Sequence, residues 1–158
     1  MFQRPAYICG PLTDLSVESQ LSIKVFYSRL ADACGVVMKI RAFAPHEHYD
    51  PVKFAHYTAE EVDAAERDQV CNKTSIVVAM YVGPSWGSGI EVEMARQSGV
   101  PVVILCPQGK KISRLLRGNP AVVEVIEYHN EEDALRKLKD WLRENINLYQ
   151  PLSSCWDS

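Results

Sequence analysis

Short apolar runs alternate with longer stretches of mixed polarity along the whole chain. Residues 6–9, 76–81, 102–106 and 122–126 are near-continuous runs rich in β-branched residues. That is the pattern of strands buried on both faces of a sheet. Residues 40–44, ended by Pro45, are expected to add another strand between the first two of these. The stretches between them predict helices. Residues 16–33 bury Leu21, Ile23, Val25, Phe26 and Leu30 in this reading, and residues 59–71 follow the T-x-x-E capping box of Thr58 and Glu61. A third helix starts near Ile90, and a short basic one covers 111–117. The last, 131–146, opens on Glu131, Glu132 and Asp133 and carries Leu135, Leu138 and Leu142 on one face. Strand and helix alternating five times predicts an α/β fold: a five-stranded parallel sheet with helices on both faces, Rossmann- or flavodoxin-like. Ligands in such folds sit at the C-terminal strand ends, where strand order reverses.

Length and composition add bounds. The 158 residues, 47% apolar, suit a single domain over 1–148, with 149–158 expected as a loose tail. No apolar run nears the ~20 residues of a membrane span, and the segment from Met1 to Pro5 lacks the features of a signal peptide. A net charge of −3 and a pI near 5.8 argue against a nucleic-acid polymer as partner. Five cysteines with no C-x-x-C spacing read as reduced thiols in a cytoplasmic protein, not as a metal site or disulfide framework.

The stretch 75–95 concentrates the candidate chemistry. Its strand is broken at Gly83-Pro84, and Gly87-Ser88-Gly89 is expected to turn the chain into the third helix. Ser85 then lies in the turn and Glu91 in the first helical turn. A helix N-terminus offers free N–H groups and partial positive charge, and glycines allow a ligand close to the backbone. Tyr7, the loop after Gly10, His46, Ser85 and Glu91 all fall near the predicted ligand edge of the sheet.

R-P-A-Y-I-C-G at 4–10, P-S-W-G-S-G-I-E at 84–91 and P-Q-G-K-K-I-S-R-L-L-R-G at 107–118 resemble, in order, motifs of the 2'-deoxynucleoside 5'-monophosphate N-glycosidases. These belong to the nucleoside 2-deoxyribosyltransferase superfamily. The resemblance implies that Glu91 is a catalytic carboxylate acting at the anomeric carbon, where bond cleavage builds oxocarbenium character. It implies that Tyr7 shapes the site beside Glu91 and that Asp68 assists proton transfer to the departing base. The link from Asp68 to the strand at Ile76 is about one residue shorter than in the family pattern, which leaves Asp63 and Glu66 as alternatives. Ser85 and Ser113 would bind the 5'-phosphate, Ser113 from the other subunit of a homodimer, beside Lys110, Lys111, Arg114 and Arg117. Gly10, Gly87 and Gly89 would give the substrate room, and His46 would lie over the base.

The loop after the first strand departs from the family: Gly10-Pro11-Leu12-Thr13-Asp14 stands where the hydrolases have serine, arginine and glycines. Asp14 is therefore a candidate partner for a sugar hydroxyl. The expected activity is hydrolysis of a (deoxy)nucleoside 5'-monophosphate to free base and sugar phosphate, with no metal or organic cofactor. A nucleoside 2-deoxyribosyltransferase and a non-catalytic nucleotide-binding module are the alternatives.

Overall fold

The computed structural model describes residues 3–13 and 15–150. Its sheet has four parallel strands in the order β1 (Ala6–Cys9), β2 (Ile76–Met80), β3 (Val102–Pro107), β4 (Val122–Tyr128). Alternation along each inner strand divides the core. Ile8, Val78, Met80, Val103 and Leu105 face one way, toward α1 (Val17–Met38) and α6 (Glu131–Glu144). Tyr7, Cys9, Val77, Ala79 and Ile104 face the other, toward α3 (Ala59–Lys73) and α4 (Trp86–Gln97). The helices thus cover both faces, as expected.

The fifth strand is reduced to one bridge. Ile8 N–H donates to Phe43 O and Phe43 N–H donates to Ala6 O, so residue 43 lies parallel to β1 on its outer side. The next ladder bond in that register would come from the backbone nitrogen of Pro45, which has no hydrogen. The proline that was expected to end a strand instead prevents one. The chain leaves β1 toward residue 43 on one side and returns through α3 to β2 on the other, so the reversal lies between β1 and β2. The ligand edge is therefore above Cys9 and Met80.

Helix α1 is longer than expected and buries a different stripe. Phe26, Tyr27, Leu30, Cys34 and Met38 are buried, whereas Leu21 and Val25 are 63% and 61% exposed. At 100° per residue, Leu21 and Val25 each point some 200° from Ile23, so the three cannot share a face. Past α6, a short helix α7 (Ile146–Tyr149) packs down, with Tyr149 buried and its hydroxyl donating to Leu142 O. Residues 151–158 of the expected tail lie outside the described residues, as does Cys155. No described helix is long and apolar enough to cross a membrane.

Candidate active site

Helix α4 begins four residues before Ile90. Ser85 is its N-cap, and the Ser85 hydroxyl accepts from Ser88 N–H at 3.3 Å. Gly87 and Gly89 are consequently inside the first helical turns rather than in a loop. Glu91 sits in the second turn, away from the free N–H groups, and packs down against β1. The residue is 9% exposed, and its carboxylate accepts a hydrogen bond from the Tyr7 hydroxyl at 2.5 Å. Cys9, two residues on along the same sheet face, lies beside them, with its thiol 3.7 Å from Ser88 O.

The electrostatics follow from that burial. The sequence led us to expect a helix terminus holding Glu91 ionised. The structure removes it from that terminus, and desolvation raises its pKa above the ordinary carboxylate value, opposed by the Cys9 and Tyr7 donors. Tyr7 is itself pushed well up, by burial and then by the charge of Glu91, so its phenol stays protonated and donates.

Above this floor opens a cavity of about 680 Å³, a size typical of small-molecule sites (~300–1,000 Å³). Glu91, Gly10, Ser85, Gly87 and His46 line it. Gly10 has a packing reason to be glycine, since a Cβ there would overlap the Tyr27 phenol, whose hydroxyl donates to Pro11 O. A Cβ on Gly87 would meet nothing within 4 Å, so that position leaves free space toward the cavity.

Helix α3 contributes Glu66 and Asp63 to the lining, but not Asp68. Asp68 is directed to the surface, bonded to Asn72 and paired with Lys73, and held below its ordinary pKa by those contacts. Glu66 is pushed up to about 7, by burial first, then by the charges of Glu91 and Asp63. Periodicity carried this signal: Val62, Glu66 and Val70 fall on one helical face, and Val70 is fully buried. Asp68 lies two residues, about 200°, away from Glu66.

The remaining candidates are elsewhere. Gly89 is exposed and outside the lining. Ser113 caps the short helix α5 (Arg114–Arg117), accepting from Leu115 N–H at 3.3 Å, and is not part of the cavity lining. Asp14 lies outside the described residues. The sequence pointed to His46 on this side, and the structure sets it in a longer aromatic wall made by residues 45–58. There Phe43 stacks between Tyr7 and His48, at 5.8 and 4.4 Å, and Tyr49 meets Tyr57 edge-on at 5.7 Å. Tyr49, Phe54 and Tyr57 line the cavity. The density of aromatic residues in 43–57 was the available signal.

A buried carboxylate with a phenol donor, and a half-buried second carboxyl in the same cavity lining, at the reversal point of a parallel sheet define a site suited to acid–base and nucleophilic chemistry on a small molecule. No protein-family model matches the chain, and no curated protein matches it in sequence. Solved structures do match its fold. It is similar to the Clostridium botulinum CMP N-glycosidase BcmB, with a TM-score of 0.61 and 16% identity over 88% of this chain and 100% of that one. It is similar to BlsM, with a TM-score of 0.70 and 19% identity over 92% and 93%. A conserved protein from Enterococcus faecalis V583 gives 0.56 and 21% over 89% and 100%. At such identities the likeness is one of fold alone: an α/β architecture with a parallel sheet and helices on both faces.

Proposed function

We propose that this protein hydrolyses the N-glycosidic bond of a (deoxy)nucleoside 5'-monophosphate, releasing free base and (deoxy)ribose 5-phosphate. The observation that carries the reading is Glu91 at the cavity floor, held from beneath by the Tyr7 hydroxyl, with a second carboxyl in the same lining, Glu66, whose pKa is pushed up to about 7. Burial raises the pKa of both carboxyls, and the charge of Glu91 raises Glu66 further; in this reading Glu91 is the one that ionises and Glu66 the one that supplies a proton, as glycosyl cleavage requires. As the C1'–N bond breaks, its electron pair leaves with the base, which takes the Glu66 proton. A Glu91 oxygen bonds to, or shields, the electron-deficient C1'. Water then attacks C1', the Glu66 carboxylate takes a proton from it, and Glu91 is released. The carboxyls supply all of this chemistry, so the reading needs no metal or organic cofactor.

The phosphate sets a condition on the assembly. The lining holds Asp63, Glu66 and Glu91 and, among the described residues, no lysine or arginine. A phosphate monoester carries about −1.5 to −2 charges at neutral pH. The first-turn amides of α4 supply part of the compensation, and a second copy would supply the rest. In this reading Ser113 acts in trans within a homodimer. Its neighbours Lys111, Arg114 and Arg117 form no ion pair among the described residues, and Leu115 beside them is 88% exposed. Trp86, 91% exposed at the cavity rim, and Ile90 would be covered by that partner.

The same charge pattern favours a second reading, in which the substrate is an unphosphorylated nucleoside and a second base, not water, takes the sugar. Incubation with a panel of nucleoside monophosphates and their nucleosides, following free base by chromatography, separates the two. Base released from a monophosphate, lost in Glu91→Ala and absent with the nucleoside, is the expected result. Base exchange on nucleosides alone would replace it with the transferase. Binding without turnover, unaffected by Glu91→Gln, would leave a nucleotide-binding module.

A further inference from the structure

The outer wall of the cavity hangs on one ion pair. Pro51, Phe54, Ala55 and Tyr57 line the cavity, yet every residue of 51–57 except Phe54 is exposed. A strap so open has little apolar packing to fix its place. Its polar ties all lead to Asp50. Val52 and Lys53 N–H donate to one Asp50 carboxylate oxygen at 2.8 and 3.2 Å, and Phe54 N–H donates to the Asp50 carbonyl at 2.8 Å. Tyr57 N–H turns back to Phe54 O at 3.1 Å. Among the described residues, no hydrogen bond or ion pair joins 51–57 to the rest of the chain except through Asp50. The other Asp50 oxygen pairs with the Lys24 ammonium of α1, a helix whose opposite side packs on the sheet. Asp50 is 1% exposed, and burial would raise its pKa. The Lys24 contact and the two N–H donors outweigh that and bring it down to about 2, so it is ionised at neutral pH. Neither Lys24 nor Asp50 belongs to the cavity lining. A buried carboxylate that loses its cation must regain water, and a strap tied to nothing else can swing out and carry it there.

We propose that Lys24 and Asp50 are positioning residues for the substrate: their pairing latches the strap 51–57 in place as a wall of the cavity, and so sets affinity without touching the reacting atoms. With the latch closed, Phe54 and Tyr57 offer their rings to the ligand; with it open, the cavity loses that side. The consequence for substrate rests on the reading of the cavity as a nucleotide site.

The test measures kcat and KM for base release from nucleoside 5'-monophosphates in wild type, Lys24→Met, Lys24→Arg and Lys24→Met/Asp50→Asn, with amide hydrogen exchange of each protein free of substrate. Lys24→Met strands the Asp50 charge, so KM should rise ~10-fold, in inverse proportion to the fraction of molecules still closed, with kcat little changed. Exchange should quicken at 51–57 and nowhere else. Lys24→Arg keeps the pair and should behave as wild type. Adding Asp50→Asn to Lys24→Met removes the stranded charge but keeps an acceptor for the Val52 and Lys53 N–H groups, so most of the affinity should return. A merely structural loss would not be repaired by a second substitution in the same pair. Asp50→Ala, which frees the strap and leaves no buried carboxylate behind, should act as Lys24→Met does and covers a failure of that variant to fold. Unchanged KM and exchange in Lys24→Met and Asp50→Ala, exchange that quickens along the whole chain, or a double variant worse than Lys24→Met overturns the proposal. If no base is released, the glycosidase reading falls by itself, and hydrogen exchange, which needs no substrate, decides the latch. Quickening confined to 51–57 then upholds it, and none overturns it.

Discussion

The floor and the wall of the cavity are built by opposite means. On the floor, Tyr7 and Cys9 come from a strand paired on both sides, and Glu91 from the second turn of a capped helix. All three side chains are buried. The wall at 45–58 consists of α2 (His46–Tyr49), turns and half-exposed aromatic rings. One buried anchor holds it: Asp50 pairs with Lys24 of α1 and accepts from Val52 and Lys53 N–H. The rigid region thus keeps charged groups where desolvation strengthens their electrostatics, and the irregular region presents the recognition surface. Changes on the floor should therefore alter kcat, and changes on the wall should alter KM.

Removal of the Glu91 carboxylate is the strongest test of that division. Glu91→Gln should lower kcat by ~10³-fold or more while substrate still binds, read by steady-state kinetics and by titration with product base. Glu66→Gln should cost about 10²-fold through loss of the proton donor, and less for substrates whose base leaves readily. Tyr7→Phe should cost ~10-fold and move the acidic limb of the pH–rate profile upward. Its hydroxyl favours the ionised form of Glu91, so its loss raises the Glu91 pKa further. On the wall, Tyr57→Ala should raise KM several-fold with kcat little changed. An equal loss in kcat would show that the wall also orders the reacting groups. Asp68→Asn should change neither constant.

Glu66 carries a stability cost that sharpens the contrast. Its folded pKa of about 7 lies above the unfolded carboxylate value. Between those values the folded protein holds a proton that the unfolded chain has lost. The group's contribution therefore falls as pH rises through the folded pKa, and is most unfavourable above it. Glu66→Gln should accordingly raise Tm at pH 8 relative to wild type, with the gain vanishing near pH 4.

Much of this architecture was legible in the sequence, because continuous apolar runs and capping boxes report backbone geometry directly. Tyr7 and Glu91 were identified through motifs, and the structure brings them into contact. Three features were misjudged for physical reasons. Pro45 looked like the end of a strand, but its missing N–H prevents the strand from forming beyond one bridge. Gly87 and Gly89 looked like a turn, yet the Ser85 cap starts the helix before them and moves Glu91 off the helix terminus. Asp68 was implied by the resemblance, with Asp63 and Glu66 left open by the shorter spacing, and the helical face through Val62 and Val70 points Glu66 inward. The contacts behind His46 were illegible, because Ser28, Arg41 and Glu47 meet there from three segments of the chain.

The division of labour between Glu91 and Glu66 is tested most directly by the pH dependence of base release in wild type, Glu66→Gln and Asp68→Asn. The account predicts a bell in wild type, rising as Glu91 ionises and falling near pH 7 as Glu66 loses its proton. The alkaline limb should vanish in Glu66→Gln and persist in Asp68→Asn. A limb that survives in Glu66→Gln, or disappears with Asp68, would contradict it.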